Sequence, residues 1–277
     1  MNDLEQLSRQ VRRQTFEMVL RAGRGHLGGS LSCVEILVAL YAGKILRVDP
    51  LNPDWEGRDR FLVSKGHANN SLYVVLAEMG FFPASELDGF LAENSRLGMH
   101  LDRRLPGVEI LSGSLGHGLG IAAGIALAAK LDQRDFMTVV LIGDGESQEG
   151  SIWEAGIFAS QHQLNNLIAI TDRNRLGSED FTENTAGLEP LDDRWRAFGW
   201  EVVSINGHDF NEIFATFAGM HDRCRDVACN VSTAGKPLMV IANTIKAKGI
   251  SSLENTPPAH HSVPKGQDID RARAELQ

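Results

Sequence analysis

Three observations predict an α/β fold, with a mostly parallel sheet carrying helices on both faces. Strand-length apolar runs recur along the chain, among them Thr138-Val139-Val140-Leu141-Ile142 and residues 167–171. Stretches with helical spacing separate these runs, as a parallel sheet needs for its crossovers. Glycine-bearing turns follow several of the strands. The 277 residues, 43% hydrophobic and 23% charged, suffice for one large core, and we read 1–277 as a single domain.

Taken in order, Leu4, Leu7, Val11, Phe16, Val19 and Leu20 are spaced as an amphipathic helix ending at Gly23. The loop Gly23-Arg24-Gly25-His26-Leu27-Gly28 matches the G-x-G-x-x-G dinucleotide pattern. It follows a helix and not a strand, so a nicotinamide site is rejected. A second helix is expected over 32–42 with Cys33 packed in it, then a polar loop over 49–59. A short strand, Phe61-Leu62-Val63, leads to the turn Ser64-Lys65-Gly66-His67, with helices following to about 93. Residues 96–112 read as irregular, and 116–130 as a helix of small residues. Strands are expected at 138–142, 167–171, 200–205 and 237–243, with helices near 152–162, 191–198 and 210–221. Residues 244–266 lack periodicity and read as an ordered functional loop or a tail.

The net charge of -9, with no clustered Lys/Arg stripe, argues against a nucleic-acid surface. No apolar run approaches the roughly 20 residues that span a bilayer. Residues 2–14 are polar, without the apolar stretch of a secretory signal, so a cytoplasmic protein is expected. Cys33, Cys224 and Cys229 are odd in number and lack metal spacing, which fits a reducing compartment and gives neither a disulfide framework nor a zinc site.

The chemistry concentrates at Gly143-Asp144-Gly145-Glu146-Ser147-Gln148-Glu149-Gly150, directly after a strand, and at Asp172-Arg173-Asn174 after the next strand. A strand, helix, strand unit brings Asp144 and Asn174 to the same carboxyl edge, where ligands of open α/β sheets bind. Asp144 offers a hard oxygen to a divalent cation beside a diphosphate, and the glycines let the backbone approach it. Asn165-Asn166 precedes the strand and belongs at the opposite edge, which excludes it as a ligand. Four histidines sit in loops among small residues: His26, His67, His100 and His260. Any one of them alone reads as a structural loop histidine.

Their order, together with the strings GHLGGSLS, SKGHA, GSLGHGLG, GDGESQEG, DRN, NGHDF and NTIKAKGIS, resembles the N-terminal half of transketolases over nearly the whole chain. The resemblance implies a thiamine-diphosphate-binding domain of the diphosphate type. It implies magnesium or calcium held by Asp144, Asn174 and the backbone carbonyl of Leu176. Cofactor contacts are implied at His67, Gly113, Ser114, Leu115, Gly145, Asn174 and His260, and Glu149 resembles a carboxylate of the network between cofactors. The alternative for Glu149 is a helix N-terminal residue favoured by the macrodipole. His26, His100 and His260 match the family's histidines that approach the donor sugar.

The activity implied is transfer of a two-carbon ketol unit from a ketose, phosphorylated in the family's usual substrates, to an aldose, the cofactor supplying the carbanion chemistry. The expected protein is the N-terminal subunit of a split transketolase, paired with a C-terminal subunit carrying the pyrimidine-binding domain, in an α2β2 assembly. A deoxyxylulose-phosphate synthase or a 2-oxo acid dehydrogenase α subunit would share the metal turn, and a non-catalytic regulatory homologue would share the fold; the histidine series favours transketolase. One departure stands out. Where the family commonly has Trp before the last histidine, this chain has Ala259, and a second histidine, His261, follows His260. The choice between His260 and His261 stays open at this level.

Overall fold

A computed structural model describes residues 1–225 and 235–277. Cys229 lies outside the described residues. Among them Cys33 is a buried free thiol.

Five strands form one sheet: β1 (Arg60–Val63), β2 (Thr138–Gly143), β3 (Leu167–Arg173), β4 (Glu201–Asn206) and β5 (Leu238–Asn243). All are parallel, in the spatial order β1-β2-β3-β5-β4. The apolar runs read from the sequence are the central strands because each must bury both faces. Val139 and Leu141 of β2, Ile168 and Ile170 of β3, and Leu238 and Val240 of β5 enter one core. Their neighbours Val140, Ile142, Leu167, Ala169, Met239 and Ile241 enter the other.

Helices α1 (Asn2–Ala22), α3 (Val34–Tyr41) and α4 (Asn69–Glu78) cover the first face together with α9 (Phe210–Phe217) and α11 (Gln267–Glu275). Helices α5 (Gly118–Leu131), α6 (Gly150–Gln161) and α8 (Leu191–Ala197) cover the second. The chain steps in one direction from β2 through β3 to β4, and right-handed crossovers keep α6 and α8 on one side. From β4 it steps back to β5, so α9 falls on the opposite side.

Some boundaries differ from expectation. The helix expected over 32–42 is divided: residues of the glycine-rich loop form α2 (Leu27–Leu31), and α3 starts after Cys33, which is buried at the break instead of inside a helix. Gly28, inside α2, lets this short helix lie against a distant segment. A Cβ there would meet the Ala259 carbonyl oxygen at 2.7 Å, so α2 packs closely against the 257–260 segment. The helix expected over 210–221 ends at Phe217, and α10 (Asp222–Arg225) follows. Residues 244–266 are an ordered loop ending in α11, with a 3-10 turn at Pro257–His260. No helix among the described residues is long and apolar enough to cross a membrane.

Candidate cofactor and metal site

The sheet register sets the site. Gly143 of β2 pairs with Asp172 of β3, and Arg173 with Asn243 of β5. Asp144, Asn174 and Thr244 therefore leave three adjacent strands at one carboxyl edge. Asn165 and Asn166 sit at the other edge, where their amides donate to the carbonyls of Arg223 and Ala126 at 2.7 and 2.8 Å.

A cavity of about 250 Å³ opens at the carboxyl edge, lined by Asp144, Gly145, Asn174, Leu176, His67, Leu115, Lys246 and His260 among others. Asp144 is buried. Its Oδ1 accepts from Gly145 N at 2.7 Å, and its Oδ2 from Arg175 N and, at 3.2 Å, from Arg173. Burial, reinforced by the Asp172 charge, pushes the Asp144 carboxyl up to about 6. Asn174 Oδ1 accepts from Leu176 N at 3.2 Å, which orients its amide. The donor set facing this part of the cavity is a carboxylate, an amide oxygen and the Leu176 carbonyl, all hard oxygens of the kind magnesium and calcium select. The residues present thus fit a divalent cation.

Beneath the cavity lies a network that the sequence left without roles. Lys65 Nζ pairs with the buried Asp172 carboxylate and donates to Gly29 O at 2.9 Å. Ser32 Oγ at 2.5 Å and Thr244 Oγ1 also donate to Asp172. Burial opposes ionisation of Asp172, yet Lys65 and these donors hold it below the usual carboxylate range. The nearby Glu146 accepts from Ser64 Oγ, from Gly116 N at 2.8 Å and from Gly143 N at 2.9 Å, so it joins three loops that border the cavity. Lys246 is buried and donates to the carbonyls of Leu176 and Gly177; burial lowers it to about 8, against the pull of Asp144. Lys65 and Lys246 were visible in the strings SKGHA and NTIKAKGIS, but nothing local distinguishes a buried lysine from a solvated one.

The histidines converge. His67 and His260 line the cavity, with ring centroids 4.9 Å apart. His26 lies 5.8 Å from His67, 5.3 Å from His260 and 6.2 Å from His100. Burial lowers His26 to about 4 and His260 to about 3, the latter helped by the Lys246 charge. Both are neutral near pH 7, able to give or take one hydrogen bond. His100 is exposed, its ring packed over Gly113, where φ is +140° and a Cβ would meet the ring at 3.2 Å.

Not every expected residue reaches the cavity. Gly113 serves the His100 ring, Ser114 is exposed beside it, and Glu149 is exposed at the start of α6; none of the three lines the cavity. The chain's residues 4–277 match the family described as transketolase, thiamine diphosphate binding domain.

The chain belongs to the transketolase family. Relatives of similar length include one of the subunits of an apulose-4-phosphate transketolase from Phocaeicola vulgatus, 42% identical over 99% of this chain and 93% of that one. Another is the 6-deoxy-6-sulfo-D-fructose transketolase subunit SqwG from Clostridium sp. (strain MSTE9), 41% identical over 99% and 96%. Among solved structures, the Campylobacter jejuni transketolase superposes with a TM-score of 0.90 at 33% identity, covering 100% of this chain and 43% of that one. The Leishmania mexicana transketolase gives 0.88 at 26%, with 99% and 41% covered. The chain therefore spans about two-fifths of the solved transketolases it matches. Its carboxyl-edge cavity belongs to the thiamine diphosphate binding domain of this family.

Proposed function

We propose that this chain is the diphosphate-binding subunit of a split transketolase, transferring a two-carbon ketol unit from a ketose to an aldose. The observation that carries the reading is the convergence of Asp144, Asn174 and the Leu176 carbonyl with His67, His260 and Lys246 around one cavity. In this reading Asp144, Asn174 and Leu176 hold magnesium or calcium, His67, Leu115 and Gly145 contact thiamine diphosphate, and Lys246 adds positive charge against the diphosphate. The cofactor, when bound, supplies the carbanion chemistry. His26, His100 and His260, two of them kept neutral by burial, orient the donor's hydroxyls and take or return a proton at its developing alkoxide. Gly113 and Ser114 are kept in this reading as contacts of the cofactor, and Glu149 as a carboxylate of the network between cofactors, beyond the part of the site that the cavity encloses.

A separate subunit carrying the pyrimidine-binding domain completes the site, in an α2β2 assembly working in the cytoplasm. The similar length of the two subunit relatives supports the split. In this reading the donor is a phosphorylated or sulfonated ketose, as the names of these two relatives suggest for their own substrates, and a ketose screen decides between them. The test is reconstitution. The chain with saturating thiamine diphosphate and magnesium should show negligible ketol transfer alone and gain it when a pyrimidine-binding subunit is added. Robust turnover by a partner-free preparation, checked by mass spectrometry, would overturn the split reading.

A further inference from the structure

We infer that His26, His260 and His261 form a second cation site beside the cavity, for a transition metal of the zinc class. One ring nitrogen from each of the three lies within 4.8 Å of the others. The centroids are 5.3 Å apart for His26 and His260, 5.2 Å for His26 and His261, and 4.5 Å for His260 and His261. His26 Nδ1 is buried with no hydrogen-bond partner, an unusual state for a polar atom unless something else meets it. The set is entirely imidazole. Hard magnesium and calcium prefer oxygen, whereas three neutral imidazoles leave the open fourth position of a zinc centre.

The geometry needs only modest adjustment. Zinc–nitrogen bonds of about 2.0–2.1 Å require the donors to close in from their present separation. His261 is exposed, and the 3-10 turn at Pro257–His260 places His260 next to it. Burial already keeps His26 and His260 in the neutral, metal-binding form. The opposing charges are those of Lys246 and Lys65, the second paired with Asp172. This site is distinct from the oxygen site at Asp144 and does not depend on the proposed function. Resting on that function is one consequence: metal here takes two imidazoles assigned to the donor sugar, so zinc and donor exclude each other.

Cobalt(II) titration of the cofactor-free chain tests the site without sugar, cofactor or partner, so its outcome is separable from the fate of the ketol-transfer reading. Wild type should bind one Co2+ with the intense visible bands of a tetrahedral centre, displaced by Zn2+. His261→Asn should weaken binding by at least the roughly 10–100-fold typical of losing a group one layer out from a metal. His261 is exposed, so this variant should fold, and near-ultraviolet circular dichroism checks that it does. Asp144→Asn should retain the tetrahedral spectrum. Equal Co2+ affinity in wild type and His261→Asn, or loss of the spectrum in Asp144→Asn, would overturn the proposal.

Discussion

Asp144 is buried near the Asp172 charge and raised to about 6. We predict that Asp144→Ala abolishes magnesium-dependent thiamine diphosphate binding in the assembled enzyme, because the diphosphate charge loses its anionic metal anchor. Calorimetry with and without magnesium measures this, and unchanged affinity would sink the assignment. Asn174→Ala should act in the same direction more mildly. Asn165→Ala, at the opposite edge, should leave cofactor affinity unaltered. A second expectation separates the histidines: His26→Ala and His100→Ala should lower turnover by about 10²–10⁴-fold, the usual range for a positioned proton-transfer group, with cofactor affinity kept. His67→Ala should weaken the cofactor instead. Turnover at the wild-type level for both His26 and His100 variants would make those rings structural.

Elements, and not single residues, hold these groups in place. Arg12 of α1 donates to Glu35 of α3 at 2.5 and 2.6 Å and to Lys248 O at 3.1 Å. His208, after β4, donates from Nδ1 to Glu35 at 2.9 Å while its Nε2 accepts from Ile245 N at 2.9 Å. This chain of contacts ties two helices to the loop that carries Lys246. Burial would raise Glu35, but the His208 and Arg12 bonds outweigh it and lower the carboxyl from 4.5 to about 2. A depressed carboxyl stabilises the fold above its unfolded value and loses that contribution as pH falls through the folded value. Glu35→Gln should therefore cost about 3 kcal/mol near neutral pH, as removal of one member of a buried pair does. Its deficit against wild type should shrink between pH 4.5 and 2. Urea denaturation at a series of pH values reads this, and a deficit independent of pH would refute it. Gly28→Ala should cost roughly 1–3 kcal/mol by overpacking against Ala259 O. It should also weaken the cofactor, because the segment it displaces carries His260; unchanged melting and binding would show that the 257–260 segment simply yields.

For the whole molecule, the question is what covers the cavity and the faces beside it. Ile121 and Leu131 of α5 are 42% and 74% exposed, and Ile157 and Phe158 of α6 are 56% and 40% exposed. This is the apolar surface that an assembling subunit is expected to present, here along α5 and α6. Ile157→Asp with Phe158→Asp should weaken association with the partner subunit by about tenfold or more, measured by light scattering across a dilution series. The thermal unfolding of the chain alone should change by little, because both side chains already face solvent. Unchanged association would move the interface to another face.

The sequence by itself determined the sheet, the common edge and the family. Strands that bury both faces must be near-continuous apolar runs, and a strand, helix, strand unit must bring Asp144 and Asn174 together while sending Asn165 away. Those are local rules, readable from neighbours along the chain. Only the tertiary structure decided that Lys65 and Lys246 are buried, that Glu146 and not Glu149 is the interior carboxylate of the glycine turn, and that α2 breaks from α3. It also brought His261 within reach of His26 across the glycine-rich loop. Burial, charge pairing and close backbone approach arise between residues far apart in the chain, such as Lys65 with Asp172 or Gly28 with Ala259, and no periodicity or spacing encodes them.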